Sequence, residues 1–282
     1  MGDAERLRVG LIGDPVAHSI SPAMQQPALD ALGIPATYEL WQTPADALAR
    51  RVSSLRAPGA LGANVTVPHK LAVMAHLDEV SSIATRAGAV NTIIAADGVL
   101  KGDNTDVYGF ATALNQACPD AANRRALVLG AGGAARAVVL ALEQVGVSTI
   151  RVVNRSRERA ARLASELSPI PIVVVAPEVD AQHAALSQAD ILINATSLGW
   201  HPGEVPLDPA LLDRLPAGGL VVDLTYRDTD LLRAARERGL QTLDGLSMLV
   251  HQGARALELW TGKTPPVALM LEAALHARAA RA

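Results

Sequence analysis

The fold is decided by one stretch, Leu127-Val128-Leu129-Gly130-Ala131-Gly132-Gly133-Ala134-Ala135. An apolar run enters a glycine-rich turn, and helical spacing follows, which is the order of the dinucleotide-binding unit in doubly wound α/β proteins. Gly130 permits the tight turn, Gly132 lets the backbone approach a pyrophosphate, and Ala135 stands where the third glycine usually lies. A structural turn is the alternative, but the flanking strand and helix favour a nucleotide at the helix N-terminus. The predicted contacts are Gly130, Ala131, Gly132, Gly133 and Ala134.

The next strand of this unit predicts which nucleotide binds. About 20 residues past the glycines, NAD-binding proteins carry an Asp or Glu for the ribose 2′-hydroxyl. This chain carries Asn154-Arg155-Ser156 there, with Arg159 one helical turn later. Guanidinium groups clamp a 2′-phosphate, which a carboxylate would repel. We therefore predict NADP as the cofactor, bound by Asn154, Arg155, Ser156 and Arg159; a solvated basic helix start is the alternative.

Short apolar, β-branched runs alternate with helical patterns on both sides of this unit. Predicted strands are 8–12, 37–41, 62–65, 89–95, 126–129, 149–153, 191–194, 220–224 and 241–243. Such alternation predicts an α/β fold with mostly parallel sheets. Asp97-Gly98 is typical of a tight hairpin, so we expect an antiparallel edge on the first sheet.

The 282 residues are enough for two hydrophobic cores, and the second sheet begins after the polar segment 118–123. A predicted helix at 107–117 carries the chain from the first domain into the second, Rossmann-like one. Two more helices are predicted at 245–260 and 266–282. Periodicity alone leaves open which domain these last helices cover.

Composition excludes several classes of protein. Half of the residues are hydrophobic, the formal net charge is −3, and Cys118 is the only cysteine. The charge gives no reason to expect nucleic acid or an anionic membrane as partner. A lone thiol forms no internal disulfide, and no apolar run reaches the roughly 18 residues of a membrane span, so we expect a cytoplasmic protein. The histidines are scattered without metal-ligand spacing, which predicts no metal site.

Small polar residues gather at the predicted strand ends of the first domain. They are Ser19, Ser21, Asn64, Thr66, Asn91, Thr92, Asn104 and Thr105. Ligands of open α/β sheets bind outside the carboxyl ends of the strands, so we expect these side chains to face one crevice and to bind a polyhydroxylated substrate. Turns and helix caps are the alternative for each cluster. Lys70 and Asp106 stand among them, and this pair suggests proton transfer beside hydride transfer.

Several motifs occur together and in one order. They are Gly13-Asp14-Pro15-Val16-Ala17-His18-Ser19-Ile20-Ser21-Pro22, Asn64-Val65-Thr66-Val67-Pro68-His69-Lys70, Gly88-Ala89-Val90-Asn91-Thr92, Asn104-Thr105-Asp106, the glycine turn, Asn154-Arg155-Ser156, Asn194-Ala195-Thr196-Ser197-Leu198-Gly199 and Gln252-Gly253-Ala254. With these motifs the sequence resembles the shikimate dehydrogenase family, which reduces 3-dehydroshikimate to shikimate with NADPH in aromatic amino acid biosynthesis.

The resemblance implies roles for particular residues. Lys70 and Asp106 correspond to the catalytic pair, and which one is the formal acid stays open because a coupled pair titrates as a unit. The substrate-binding positions of the family correspond in this chain to Ser19, Ser21, Asn64, Thr66, Asn91, Tyr226 and Gln252. Thr196 and Gly245 join the cofactor-binding residues. The C-terminal helices are expected to return, so that 1–106 and 245–282 form the substrate domain and 107–244 the NADP domain, with a cleft between them.

Three departures from the family pattern bear on substrate choice. Gln25-Gln26 replace the usual His-Asn, Trp200 replaces the usual Met, and the Tyr226 segment is shorter and lacks a proline. Trp200 either narrows the nicotinamide pocket or packs at the domain edge. The alternatives are a quinate/shikimate dehydrogenase, or a paralogue acting on a related hydroxylated cyclic acid with NAD(P). A catalytically silent ligand sensor of the same fold is a further alternative, and monomer or homodimer is left open.

Overall fold

A computed structural model of the chain describes residues 6–167 and 171–281. The described chain forms two compact units. Unit 1 runs to Gly109 and resumes at Val250, and unit 2 is Phe110–Leu249. Residue 282, the last residue of the predicted C-terminal helix, and residues 1–5 of the predicted first domain lie outside the described residues.

Each unit is built on a six-stranded sheet. The strands of unit 1 are β1 (Leu7–Gly13), β2 (Ala36–Gln42), β3 (Ala60–Val65), β4 (Glu79–Val80), β5 (Thr92–Ala96) and β6 (Val99–Asp103), in the order β2-β1-β3-β5-β6-β4. Those of unit 2 are β7 (Arg125–Leu129), β8 (Thr149–Val153), β9 (Ile172–Val175), β10 (Ile191–Asn194), β11 (Leu220–Asp223) and β12 (Gln241–Leu243), in the order β12-β11-β10-β7-β8-β9.

The α-helices connect and cover these strands. They are α1 (Ser21–Ala31), α2 (Leu48–Ser53), α3 (Ser82–Ala87), α4 (Thr105–Ala117), α5 (Gly133–Val145), α6 (Arg157–Leu167), α7 (Val179–Leu186), α8 (Asp230–Glu237), α9 (Leu246–Thr261) and α10 (Val267–Ala279). The boundaries between the units fall inside α4 and α9. No helix among the described residues is long and apolar enough to cross a membrane.

The sheet of unit 2 is parallel throughout. Its central strands are continuous apolar runs because helices cover both faces of such a sheet, and every residue of β10 and β11 is buried. In helix α5, Ala135 and residues 137–142 are all buried, so most of the helix surface is packed inside the protein. The order of strands and helices is the predicted α/β fold with a Rossmann-like second domain.

In unit 1 one expectation about the sheet is wrong. The Asp97-Gly98 turn joins β5 to β6 as predicted, and β5 is antiparallel to both β3 and β6. The hairpin does not form the edge, however, because β4 adds parallel to β6 beyond it. A strand as short as Glu79–Val80 has no detectable periodicity, so no sequence pattern predicts it.

Candidate active site

One edge of the sheet in unit 1 collects the predicted polar residues. The carboxyl ends of β1, β3 and β6 and the amino end of β5 meet there, because Asn64 pairs with Thr92 and Thr92 pairs with Asp103. Residues that leave these strands in sequence therefore become neighbours in space. We expect a shared crevice here because ligands of open α/β sheets bind outside the carboxyl ends of the strands.

The centre of this edge is an ion pair. Lys70 Nζ lies 2.7 Å from Asp106 Oδ2, and the two side chains are 24% and 9% exposed. Lys70 follows β3 by one turn and its carbonyl accepts the N–H of Val90, 2.8 Å away, while Asp106 lies in the first turn of α4. The lysine thus keeps contact with solvent, and the carboxylate beneath it is nearly enclosed.

Asn91 orients the carboxylate. Its Nδ2 donates to Asp106 Oδ1 at 2.8 Å, and its Oδ1 accepts the backbone N–H of Thr105 at 2.7 Å. A backbone N–H only donates, so the amide oxygen must face Thr105 and the amide nitrogen must face Asp106. Each oxygen of Asp106 therefore has a donor, one from Asn91 and one from Lys70.

The capped start of helix α4 holds the backbone of Asp106 in place. Asn104 Oδ1 accepts the N–H groups of Asp106 at 3.1 Å and Val107 at 3.4 Å, and its Nδ2 donates to the carbonyl of Ala89 at 2.9 Å. Asn104 is the N-cap, because it satisfies backbone donors that the first helical turn leaves unpaired. A carboxylate in that first turn also meets the positive end of the helix dipole.

A second group of hydroxyl and amide side chains lies at the same edge. Ser19 Oγ donates to Ser21 Oγ at 3.0 Å, and Asn64 Oδ1 accepts the phenol of Tyr38 at 2.8 Å. Burial raises the pKa of Tyr38 well above its ordinary value, and a hydrogen-bonding contact with Ser21 acts in the opposite direction. The phenol therefore stays neutral and donates. Thr66 is half-buried beside the end of β1.

Helix α9 brings Gln252 to this group. Gln252 is 8% exposed, and its Oε1 accepts from Asn91 Nδ2 at 3.3 Å and from Thr105 Oγ1 at 3.4 Å. Eight predicted residues therefore lie in unit 1. They are Ser19, Ser21, Asn64, Thr66, Lys70, Asn91, Asp106 and Gln252.

The glycine turn of unit 2 has the properties of a phosphate cradle. Gly130 has φ +109°, and an added Cβ would lie 2.9 Å from the carbonyl oxygen of Ala195, so the fold itself requires this glycine. At Gly132 and Gly133 an added Cβ would meet nothing within 4 Å. The free space lies beside the first-turn N–H groups of α5, which have no partner inside the helix. These residues fit a dinucleotide pyrophosphate.

The basic residues after β8 lie next to this turn, because Gly130 N–H donates to the Val153 carbonyl at 2.8 Å. Arg155 and Arg159 are exposed, and neither guanidinium has an ion-pair or hydrogen-bond partner among the described residues. Both are available for a 2′-phosphate. Glu158 was not predicted and lies among them, where its Oε2 accepts from Ser156 Oγ at 2.9 Å. Its own backbone N–H and the Ser156 hydroxyl hold the pKa of Glu158 below its ordinary value.

Three further predicted residues lie in unit 2. Thr196 donates through Oγ1 to Asn194 Oδ1 at 2.7 Å and lies beside Gly130. Gly245 directly precedes α9, and a Cβ there would lie 2.0 Å from the carbonyl oxygen of Leu224, so packing is enough to explain this glycine. Tyr226 follows β11, and its ring is edge-on to Trp200 with the centroids 5.1 Å apart. The Arg227 guanidinium covers Trp200, 5.4 Å from the ring centroid.

Sequence reasoning missed two buried residues near the predicted ones. Tyr38 stands in β2, where alternation places it on one face but does not reveal its contact with Asn64. Asp223 is 0% exposed and accepts from Thr225 N–H at 3.0 Å and Thr229 Oγ1 at 2.9 Å, which ties down the ends of the Tyr226 segment. Burial raises the pKa of Asp223. Within residues 6–167 and 171–281 no group of three or more His, Cys, Asp or Glu side chains is placed to hold a metal ion.

Three family models match the chain. The model for the shikimate dehydrogenase substrate binding domain matches residues 11–93, that for shikimate/quinate 5-dehydrogenase matches 112–200, and that for the shikimate 5′-dehydrogenase C-terminal domain matches 245–275. A shikimate dehydrogenase (NADP(+)) from Symbiobacterium thermophilum is 47% identical over 277 residues, which cover 95% of this chain and 94% of that protein.

Two solved structures are similar over almost the whole chain. Shikimate 5-dehydrogenase from Thermus thermophilus, in complex with NADP(H) and shikimate, is 44% identical with a TM-score of 0.86, covering 96% of this chain and 99% of that one. Quinate dehydrogenase from Corynebacterium glutamicum, in complex with NAD, is 34% identical with a TM-score of 0.87, covering 96% and 99%.

Proposed function

The chain belongs to the shikimate dehydrogenase family, and on that premise we propose that it catalyses the reversible NADPH-dependent reduction of 3-dehydroshikimate to shikimate. The observation that carries the proposal is the Lys70–Asp106 pair, with Asn91 on the second carboxylate oxygen. A ligand sensor of the same fold would not need a lysine and a carboxylate held in this manner.

We assign the proton transfer to this pair. NADPH, when bound, supplies the hydride that turns the ketone carbon into a carbinol. Lys70 Nζ stabilises the negative charge that develops on the carbonyl oxygen and donates a proton to it, and in the reverse direction the neutral amine accepts that proton. Asp106 keeps the ammonium group in place, because Asn91 and the start of α4 restrain the carboxylate itself.

The neighbouring amides and hydroxyls suit the substrate. A shikimate ring carries hydroxyl groups and a carboxylate, and Asn64, Thr66, Asn91 and Gln252 with the Ser19–Ser21 pair supply donors and acceptors for both. Tyr226 is proposed as a further contact from unit 2. We propose that unit 1, including residues 250–282, binds the substrate and that unit 2 binds NADP.

The cofactor assignment rests on charge. Arg155 and Arg159 offer two guanidinium groups to a 2′-phosphate, and Gly130–Ala134, Asn154, Ser156, Thr196 and Gly245 are proposed as the remaining contacts. One observation favours a second candidate, a quinate dehydrogenase that uses NAD. Glu158, in the first turn of α6, accepts from Ser156 Oγ and so brings a carboxylate near the segment after β8, where NAD-binding proteins carry an acidic residue.

A four-way steady-state assay separates the two candidates. The protein is assayed with shikimate and with quinate, each with NADP⁺ and with NAD⁺, and reduction is followed at the absorbance of the reduced nicotinamide. We expect the highest kcat/KM for shikimate with NADP⁺. A higher kcat/KM for quinate with NAD⁺ would replace our proposal by the second candidate, and binding of shikimate without any turnover would indicate a sensor.

A further inference from the structure

One face of helix α1 is buried, and the side-chain amide of Gln25 lies on that face. The buried residues are Ser21, Met24, Gln25, Ala28 and Leu29, and Gln25 is 0% exposed. In the described part of the chain, Gln25 Oε1 is the one buried side-chain nitrogen or oxygen without a hydrogen-bond partner. An amide with an unmet acceptor destabilises a core relative to Met, which has similar volume and no such group. A role outside stability therefore accounts better for this glutamine.

The amide nitrogen of Gln25 makes a hydrogen bond to helix α9. Gln25 Nε2 donates to the Gly253 carbonyl at 3.0 Å. A carbonyl accepts two hydrogen bonds but donates none, so the amide nitrogen must face it and Oε1 must face away. The approach depends on the glycine, since a Cβ on residue 253 would lie 3.0 Å from Gln25 Nε2 and 2.6 Å from Met24 Cε.

The residue before Gly253 belongs to the candidate site. Gln252 Oε1 accepts from Asn91 at 3.3 Å and from Thr105 at 3.4 Å, whereas Asn91 donates to Asp106 at 2.8 Å. Hydrogen bonds of more than about 3.2 Å lie at the long end of the usual range, so a small shift of α9 breaks them. The Gln252 contacts therefore depend on where the backbone at 252–253 is held.

We propose that Gln25 is a positioning residue that sets shikimate affinity: its hydrogen bond to Gly253 holds Gln252 in the Asn91–Asp106 network. The inference rests on the proposed function, because it assigns the effect to the substrate. Its predicted signature is a raised KM for shikimate with an unchanged KM for NADP⁺, since Gln25 touches neither the Lys70–Asp106 pair nor the glycine turn.

The first test replaces the amide by an apolar side chain of similar volume. In Gln25→Met we expect the KM for shikimate to rise about three- to tenfold, the effect of one neutral hydrogen bond. The thermal midpoint should stay equal or increase, because the unmet acceptor is removed. Met24→Leu is the matched control, since it alters packing on the same face without changing a hydrogen bond and should leave KM within about twofold. An unchanged KM in a folded Gln25→Met would overturn the inference.

A double-mutant cycle tests whether Gln25 acts through Gln252. If it does, Gln25→Met should have little further effect on KM when Gln252→Ala is already present. The same four proteins are unfolded in urea, which measures the coupling between the two side chains without any turnover. Additive effects in both measurements would show that the residues act independently and would contradict the proposal.

A second variant keeps the test open if Gln25→Met does not fold. In Gln25→Glu, an ionised carboxylate would repel the Gly253 carbonyl, whereas the protonated acid donates to it. We compare the KM for shikimate of Gln25→Glu with that of the parent at each pH. The ratio of the two KM values should fall from pH 8 to pH 6. A ratio that does not change with pH would contradict the hydrogen bond. If the parent protein does not oxidise shikimate at all, the proposed function is refuted. The double-mutant cycle measured by urea unfolding then still shows whether Gln25 and Gln252 are coupled.

Discussion

At the scale of single residues, the candidate site combines a carboxylate whose two oxygens both accept hydrogen bonds with a lysine that can still donate. Both oxygens of Asp106 are occupied, by Lys70 and by Asn91. The Lys70 ammonium group has three protons, and Asp106 is its one side-chain partner among the described residues. Two protons therefore remain for a substrate oxygen, and the lysine is the more exposed member of the pair.

Removal of this ammonium group should abolish most of the turnover. We expect Lys70→Ala to lower kcat at least about a hundredfold, because general acid–base catalysis is worth 10²–10⁴-fold. NADPH binding, followed by the fluorescence of the nicotinamide, should be retained, since Lys70 lies in unit 1 and the glycine turn in unit 2. A variant with near-normal kcat would remove Lys70 from the proposed mechanism.

Arg155 should decide between the two nicotinamide cofactors. We expect Arg155→Ala to raise the KM for NADP⁺ about 10- to 100-fold, the effect of losing a charge-assisted hydrogen bond of roughly 1.5–3 kcal/mol. The KM for NAD⁺ should hardly change. Arg157→Ala is the control, because Arg157 is also an exposed arginine and lies at the start of α6. Equal losses with both cofactors would refute the role of Arg155.

At the scale of elements, the turn between β7 and α5 contains glycines of two kinds. Gly130 is required by the chain itself, since its φ is +109° and the Ala195 carbonyl oxygen leaves no room for a Cβ. Gly132 has φ −92°, which any residue adopts, and open space around it. Gly132 is the N-cap of α5, a position that glycine favours, and we propose that it also lets a ligand approach the backbone closely.

The two glycines should therefore respond differently to alanine. Gly130→Ala should lower the thermal midpoint, because it combines a strained φ with a backbone clash. Gly132→Ala should leave the midpoint nearly unchanged and raise the KM for NADP⁺ several-fold, since a methyl group would occupy the phosphate cradle. If Gly132→Ala binds NADP⁺ normally, the pyrophosphate does not lie there.

At the scale of the whole molecule, one bidentate pair joins distant parts of unit 2. Arg125 Nε and Nη2 donate to Asp190 at 2.9 and 2.8 Å, and the Arg125 backbone N–H also reaches Asp190 at 2.9 Å. The two residues lie at the starts of β7 and β10, which are side by side in the sheet. Hydrogen bonds from the Arg125 guanidinium, opposed by desolvation and aided by the backbone N–H, hold the pKa of Asp190 below its ordinary value.

This pair should contribute to stability only where Asp190 is ionised. A carboxyl group whose pKa is lowered by folding stabilises the protein above its unfolded pKa of about 3.9, and the contribution is lost as the pH falls through the folded pKa. We expect Asp190→Asn to reduce the free energy of unfolding by about 1–2 kcal/mol at pH 7, a figure that allows for partial exposure of the pair. The difference from the parent should shrink below about pH 4.

The neighbouring pair of Asp120 and Arg124 provides the control. Its carboxylate side chain is 71% exposed, so Asp120→Asn should cost less at pH 7. Urea unfolding of the three proteins between pH 3 and pH 7 makes the comparison. A difference for Asp190→Asn that does not change over this range would show that the charge of Asp190 is not what stabilises unit 2.

The extent to which sequence predicts this structure varies between elements. Strands β8 and β10 have the predicted bounds, because short runs rich in apolar and β-branched residues between turns are local signals. Strand β5 begins at Thr92 rather than at residue 89, since the backbone N–H groups of residues 89–91 donate instead to Ala84, Lys70 and Asp103. Hydrogen bonds to these partners leave no periodic pattern in the sequence.

By itself, the sequence determined the α/β class, the glycine turn, the basic residues after β8 and the family, because each can be read from short motifs and from their order along the chain. The tertiary structure alone decided how the polar residues are paired. Lys70 and Asp106 are 36 positions apart, and Asn91 and Gln252 are 161 apart, so their bonds depend on strand register and on the return of α9. It also left Gln25 Oε1 without a hydrogen-bond partner among the described residues. Hydrogen bonds are directional and short, so which groups form them is set when the sheet and its helices are packed.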